Sequence, residues 1–239
     1  MAEFELVIPC YNEEHSLKEL LSRAVSAAHL LGVSAKEFQL VLVNNGSHDG
    51  TQAKLHELQQ TEFGSWFRSV HLKENEGYGG GIIRGLESTT APIVGWTHAD
   101  LQCDPGDALR AYRKLQNNQN IQLVKGQRRG RAFGDRVFTW VFEFLARLIL
   151  KTRVKEINAQ PKIFRHGLLP HLTSAPKDFA FDLYVLVVAE KVGWTTDTIS
   201  VLFPKRTHGL SKWAYGVVSR YRTIRNMILY MWSLRRSLG

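Results

Sequence analysis

At 239 residues, with 44% hydrophobic and 22% charged side chains, the chain has the composition of a folded domain and excludes a disordered or low-complexity protein. Two cysteines, Cys10 and Cys103, exclude a disulfide framework and suit a reducing compartment. The net charge of +9 is concentrated: residues 198–239 hold eight Lys or Arg and no acid, against 23 basic and 22 acidic groups before them, which points to an anionic partner at that end.

In chain order, "FELVIP" (4–9) predicts a first strand. Asn12 is placed to cap a helix with Glu13 and Glu14 in its first turn, and Leu17, Leu20, Leu21, Ala24, Val25, Ala28 and Leu31 share one helical face. "FQLVLV" (38–43) predicts a second strand, and the polar turn "NNGSHDGT" (44–51) leads to a helix with Asp49 as a cap. "SVHL" (69–72) is a third short strand, followed by the glycine-rich "ENEGYGGG" (74–81). "PIVGWT" (92–97) is a fourth, after which Asp104 and Pro105 have the residue types of N-cap and N1. "IQLVK" (121–125) is a fifth, running into the basic loop "KGQRRGRAFGDR" (125–136). The apolar run from Val137 to Leu150 is broken by Glu143 and Arg147, and no stretch reaches the roughly 18 residues of a spanning helix. The alternation of short apolar runs with amphipathic stretches predicts an α/β fold, a mostly parallel central sheet flanked by helices. The acids in "MAEFELVIP" do not suit a signal peptide, so a cytoplasmic location is expected.

Ligands of open α/β sheets gather at the carboxyl ends of the strands. Four polar segments fall there: "PCYNEE", "NNGSHDGT", "ENEGYGGG" and "HADLQCDP". The last puts His98, Asp100, Gln102 and Asp104 directly after a buried strand. Such groups are costly to desolvate without partners, and a divalent cation with an anionic ligand supplies them. A dinucleotide fingerprint is absent, because no G-x-G-x-x-G is followed by an acid about twenty residues on. Nucleic-acid binding is not expected, because the basic excess lies in the tail and not over a face.

Taken in order, "VIPCYNEE", "VLVNNGSHDGT", "NEGYGGG", "GWTHADLQCDP", "NAQPKIFR" and "KRTHGLSKW" resemble the successive motifs of the family-2 glycosyltransferases. Within that family the chain resembles the dolichyl-phosphate (polyprenyl-phosphate) sugar transferase branch. The resemblance covers about residues 4–213. It implies a GT-A fold, a nucleotide-diphosphate sugar (UDP- or GDP-sugar) as donor, a divalent cation (Mg2+ or Mn2+), and inverting transfer of a hexose by direct displacement.

The same resemblance assigns roles. Pro9, Tyr11 and Glu13 match the base-binding segment. Asn45 stands where the family has a nucleoside-contacting acid, so an amide replaces a carboxylate. Gly77 and its neighbours allow close backbone approach to a ligand. His98, Ala99 and Asp100 match the Asp-x-Asp position, with only the second acid present. Asp100 and Gln102 are the expected metal ligands, Gln102 lying on the same side of an extended segment; His98 either joins them or bonds a phosphate. Arg128 and Arg136 align with phosphate-binding arginines of the branch, and Gln160 with an acceptor-side position. In the late segment Arg206 and Lys212 would neutralise the departing diphosphate, with Ser211 between them. Asp182 matches a general base, needed when the acceptor is a hydroxyl but not when it is an anionic phosphate.

Asp182 by itself fits a hydroxyl acceptor; the resemblance to the polyprenyl-phosphate branch makes polyprenyl phosphate the expected acceptor, and a hydroxyl of a glycan or small molecule the alternative. Residues 1–212 form the expected catalytic domain and 213–239 a basic, apolar helix. In that helix Met227–Trp232 are six consecutive apolar residues flanked by arginines, which suits an anionic membrane surface or a homo-oligomer contact.

Overall fold

A computed structural model describes residues 2–130, 133–202 and 216–238; at 133–138, 216–224 and 237–238 it describes the backbone alone. Its strands are β1 (Phe4–Cys10), β2 (Phe38–Asn45), β3 (Phe67–Leu72), β4 (Ile93–Trp96), β5 (Leu123–Arg129), β6 (Lys162–Arg165) and β7 (Thr196–Leu202). Its helices are α1 (Leu17–Leu30), α2 (Thr51–Gln59), α3 (Gly77–Glu87), α4 (Pro105–Asn117), α5 (Phe133–Leu150), α6 (Phe181–Lys191) and α7 (Gly216–Leu238). The strands form one sheet in the order β3-β2-β1-β4-β6-β5-β7, parallel except for β6, which runs antiparallel to β4 and β5. This is the α/β class and the flanked, mostly parallel sheet expected from the sequence.

Strands buried on both faces must be apolar at nearly every position, and β1 and β2 are. Phe4, Leu6 and Ile8 join Phe38, Leu40 and Leu42 in the core under α1 and α4. Val7, Val41 and Val43 face the opposite layer, with α3 and α6. Phe4 stacks between Phe38 and Tyr112, with centroids 5.2 and 4.9 Å away. Register places Cys10 beside Asn44 and Val7 beside Trp96, so β1, β2 and β4 release their following loops along one edge.

One buried charge interrupts β1. Glu5, 4% exposed, accepts from Arg68 Nη2 at 2.8 Å and from the N–H groups of Thr90 (2.6 Å) and Ala91 (2.9 Å). Arg68 reaches on to the Ser88 carbonyl and hydroxyl. The carboxylate thus joins β3 to the α3–β4 turn. Burial works against its ionisation, but Arg68 and the two N–H groups outweigh it and hold the acid below its ordinary value.

In its secondary structure and capping, the fold differs from the sequence reading in three places. Asn12 does not cap α1, which begins at Leu17 after Ser16; Asn12 adopts φ +58° and accepts from His48 N instead. Asp49 accepts from Thr51 N and Oγ1 one residue before the cap position, Gly50. Strands β6 and β7 were not anticipated: "KIFR" is four residues opened by a lysine, and "TDTISVL" is mostly polar and partly exposed. The apolar run of α7 is divided between core and solvent, as six consecutive apolar residues on one helix require. Met227, Met231 and Leu234 are buried in the core beside α6, while Leu229 and Trp232 remain exposed. Asp104 and Pro105 take the cap and first position of α4 as expected, with Asp104 Oδ1 accepting from Gly106 N at 2.8 Å.

Glu5→Gln should lower stability at pH 7 by about 2 kcal/mol or more, since the amide keeps one accepting oxygen and turns its NH2 toward either Arg68 or the Thr90 and Ala91 N–H groups. A carboxylate held low contributes stability above its unfolded value and loses it as pH falls through its folded value. The gap between Glu5→Gln and wild type in urea denaturation should therefore be full near neutrality and narrow below the ordinary glutamate value of 4.5.

Candidate active site

The loops after β1 and β2 are laced together. Asn12 N donates to Ser47 Oγ (3.1 Å), Glu13 N to Thr51 Oγ1 (2.9 Å), and Gly50 N to Glu14 Oε2 (2.8 Å). Glu13 also accepts from Ser16 Oγ at 2.6 Å, so part of its carboxylate serves the start of α1. Tyr11 stands edge-on to His48, centroids 6.3 Å apart, beyond a half-buried Pro9. This pairs an aromatic with an acid nearby, as a base-binding segment requires; His48 was missed from sequence because nothing in "GSHDG" marks it as Tyr11's neighbour.

Two expected ligand contacts have structural duties. Asn45 is 3% exposed. Its Nδ2 donates to Gly77 O (2.9 Å) and Asn75 Oδ1 (3.4 Å), and its Oδ1 accepts from Glu76 N (3.0 Å). Both ends of the amide are thus occupied in tying β2 to the turn before α3. Gly77 has φ +84°, and a Cβ there would lie 2.5 Å from the Lys177 carbonyl oxygen; Gly79 faces Pro176 O in the same way. The close backbone approach that these glycines permit is to residues 176–178, not to an open cavity.

The segment after β4 is bent, not extended. Leu101 takes φ +59° and Asp100 Oδ1 accepts from Gln102 N at 3.2 Å, so the same-side argument for Gln102 does not hold. His98, Asp100 and Gln102 are half-buried and Ala99 is buried, all at the carboxyl end of β4. No group of three or more His, Cys, Asp or Glu among the described residues could hold a metal by itself.

Beside this segment lies a network that the sequence did not reveal. Lys162, on β6 and fully buried, forms an ion pair with Asp182 Oδ1 in the first turn of α6. Asp182 Oδ1 also accepts from Gln160 Nε2 (2.9 Å), and Oδ2 from Tyr78 Oη (3.0 Å). Tyr78 Oη further meets Gln160 Nε2 (3.2 Å) and His98 Nε2 (3.0 Å). A phenol has one proton, and here it goes to the carboxylate. Tyr78 must then accept from His98, which places an imidazole proton on Nε2. Phe179 stacks on Tyr78 at 4.9 Å and is half exposed.

Burial is the largest influence on both central groups. It pushes the Lys162 ammonium below its ordinary range against the pull of Asp182, and raises the Tyr78 phenol, with the Asp182 charge adding to the rise. Asp182, 3% exposed, therefore has both oxygens engaged by three donors. The sequence reading expected a general base here for a hydroxyl acceptor; in this structure the carboxylate is ion-paired with Lys162 and accepts from Gln160 and Tyr78. The signals were present but ambiguous: Lys162 opens an apolar strand in "PKIF", and Tyr78 sits among the glycines of "EGYGGG".

Arg128 donates Nε to Glu156 Oε2 at 2.8 Å, so this arginine is held at the end of β5. Arg206, Ser211 and Lys212 lie outside the described residues, and Arg136 falls where the backbone alone is described.

Lys162→Met should destabilise the fold by about 3–5 kcal/mol, because a buried carboxylate loses its cation. Lys162→Met with Asp182→Asn should recover much of that loss, since no buried charge is left unpaired: the amide oxygen still accepts from Gln160 and its NH2 donates to Tyr78 Oη. Chemical-denaturation midpoints of the two variants against wild type measure the difference.

The model of the family described as glycosyl transferase family 2 matches residues 5–174. The chain is 25% identical to the dodecaprenyl-phosphate galacturonate synthase of Rhizobium johnstonii, over 98% of its own length and 68% of that protein's. It is 26% identical to the undecaprenyl-phosphate 4-deoxy-4-formamido-L-arabinose transferase of Aeromonas hydrophila, over 95% of its own length and 67% of that protein's. It thus spans about two thirds of these relatives. Among solved structures, glucosyl-3-phosphoglycerate synthase from Mycobacterium tuberculosis with Mn2+, UDP-glucose and phosphoglyceric acid superposes with a TM-score of 0.69 at 18% identity, covering 100% of this chain and 81% of that one. The same enzyme with Mg2+ and UDP gives 0.69, also at 18% identity, covering 98% and 79%. At that identity the likeness is one of fold.

Proposed function

The chain belongs to glycosyl transferase family 2, and from that membership we propose that it transfers a hexose, with inversion, from a nucleotide-diphosphate sugar to polyprenyl phosphate. The observation that carries the choice of acceptor is the saturation of Asp182 by Lys162, Gln160 and Tyr78. A hydroxyl acceptor must lose a proton as it attacks, and this carboxylate is not available to take it. A phosphate monoester arrives already anionic and needs no base. The two curated relatives named above, which act on dodecaprenyl and undecaprenyl phosphate, support the same reading.

The donor end is read as follows. Tyr11, with Pro9 and Glu13, borders the nucleobase. Asp100 supplies the carboxylate for a divalent cation, with His98 and Gln102 beside it. One carboxylate fits such an ion, because Mg2+ keeps several waters and completes its shell with substrate phosphates. The absence of an all-protein cage among the described residues agrees with that donor set. Neighbours of the same fold crystallised with Mn2+ or Mg2+ and UDP support both the ion and the nucleotide class. When bound, the ion neutralises charge developing on the diphosphate leaving group.

The remaining work falls to the chain's own groups. Tyr78 fixes the His98 ring through Nε2, and Asp182 fixes Tyr78. Lys162 holds Asp182 in place. Gln160 and Arg128 border the acceptor side. Arg206, Ser211 and Lys212 are proposed to close over the diphosphate.

Asp100→Asn should reduce donor turnover about 100-fold or more, as expected when a charge stabiliser of the leaving group is removed. Thermal melting should stay close to wild type, because Asp100 is only half-buried and Asn is isosteric with it. Full turnover in excess chelator, or in Asp100→Asn, would sink the metal reading. Lipid-linked product, read by mass after incubating nucleotide sugars with polyprenyl phosphate, tests the acceptor; product only on a hydroxyl compound would replace it.

A further inference from the structure

Helix α5 is the least covered apolar element among the described residues. Trp140 (63% exposed), Phe144 (46%) and Leu148 (58%) recur at four-residue spacing, with Val141 (43%) beside them. One stripe of the helix is therefore apolar and solvent-facing, while Ala146, Ile149 and Leu150 are buried in the core. Trp140 and Phe144 stack at 5.7 Å, presenting a single aromatic plate. An apolar stripe of this size on a soluble surface marks an interaction site.

The stripe has a cationic border. Arg147, Lys151, Arg153 and Lys155 line an open depression of about 660 Å3 after the helix, with Thr152 at its base. A second depression of about 250 Å3 joins it to the plate, lined by Trp140, Phe144, Glu143, Arg147 and Lys155. The nearby acids accept from backbone N–H and hydroxyl groups. Glu143 accepts from Glu156 N, and Glu190 accepts from Thr152 Oγ1 and Arg153 N. None of the four cations enters a salt bridge among the described residues.

We propose that the aromatic stripe of α5 and the basic depression at residues 147–155 dock the enzyme on an anionic phospholipid bilayer. Trp and Phe seated among acyl chains, with Arg and Lys on headgroup phosphates, is the pairing an interfacial helix uses. A second copy of the chain fits worse. A two-fold contact places a patch against itself, and here that would set unpaired cations opposite the same cations. The choice also rests on the lipid-phosphate reading above in one respect. Lys155 lines the depression, and the next residue, Glu156, holds Arg128 at the acceptor side. A surface seated through Lys155 therefore lies one residue from the group that borders the lipid phosphate.

The inference moves the membrane contact expected at 213–239 onto α5. Helix α7 packs against α5 and adds exposed Leu229 and Trp232, the latter under Arg235 at 5.6 Å.

The test is co-sedimentation of the full chain with vesicles of phosphatidylcholine alone or with phosphatidylglycerol added. Binding should need the anionic lipid and weaken as salt rises. Arg147→Gln with Lys151→Gln should weaken it on the order of tenfold or more, and Trp140→Ser with Phe144→Ser should do likewise. All four residues are exposed, so melting temperatures should hold. Brominated lipid should quench tryptophan fluorescence in wild type and less in Trp140→Phe. Donor hydrolysis without vesicles should be unchanged in every variant, while transfer to polyprenyl phosphate in vesicles should fall. Wild-type protein that ignores anionic vesicles overturns the proposal. So does a dimer in light scattering that the Trp140 and Phe144 changes dissociate while vesicle binding persists. If wild type binds vesicles through these residues but makes no lipid-linked product, the docking surface stands and the acceptor reading falls.

Discussion

The buried pair of Lys162 and Asp182 is the constraint around which the site end of the molecule is arranged. An ammonium and a carboxylate without solvent are tolerated only when paired and hydrogen-bonded. Each here has further partners: Lys162 reaches Ala159 O, and Asp182 takes Gln160 and Tyr78. The pair joins β6 to α6, and through Tyr78 it reaches α3 and His98 after β4. Elements distant in sequence are thereby held in one relative position. The antiparallel insertion of β6 between β4 and β5 makes this possible, because it carries Lys162 beside Trp96, whose ring lies 5.4 Å from the ammonium.

That arrangement changes how a familiar acid should be understood. In isolation a carboxylate at position 182 suggests proton abstraction. Surrounded by an ammonium, an amide and a phenol, it is an anchor whose charge is already committed. The same reasoning supports the proposed lipid-phosphate acceptor over a hydroxyl, since only the hydroxyl asks the protein for a base. Family membership fixes the reaction class; the network bears on which acceptor the site can serve.

The distribution of charge has a comparable logic. The tail carries no acid, yet its helix buries Met227, Met231 and Leu234 against the rest of the chain. The four cations beside α5 fall within residues 147–155, nine residues without an acid, a cluster hidden in the near-neutral total of residues 1–197. Glu143 and Glu190 accept from N–H and hydroxyl donors, and neither forms a salt bridge with these cations among the described residues. Net charge by segment therefore located the excess, but not the face that presents it.

Much of this protein was determined by its sequence alone. Apolar runs bounded by polar loops specified β1, β2 and β4, because a sheet buried on both faces needs them apolar. Asp104–Pro105 specified a helix start, because a carboxylate cap and a proline at N1 satisfy the same unpaired N–H groups. The order of the polar loops pointed to one ligand-bearing edge and to the family. What only the tertiary structure decided was the partnership of each polar side chain. Asn45 meets the turn before α3, Gly77 the Lys177 carbonyl and Asp182 the Lys162 ammonium, contacts that no local pattern in the sequence specified. Those partners come from segments about 20 to 100 residues away. Local pattern carries hydrophobic period and capping, whereas a buried polar group takes its role from whichever distant donor or acceptor the fold brings within about 3 Å.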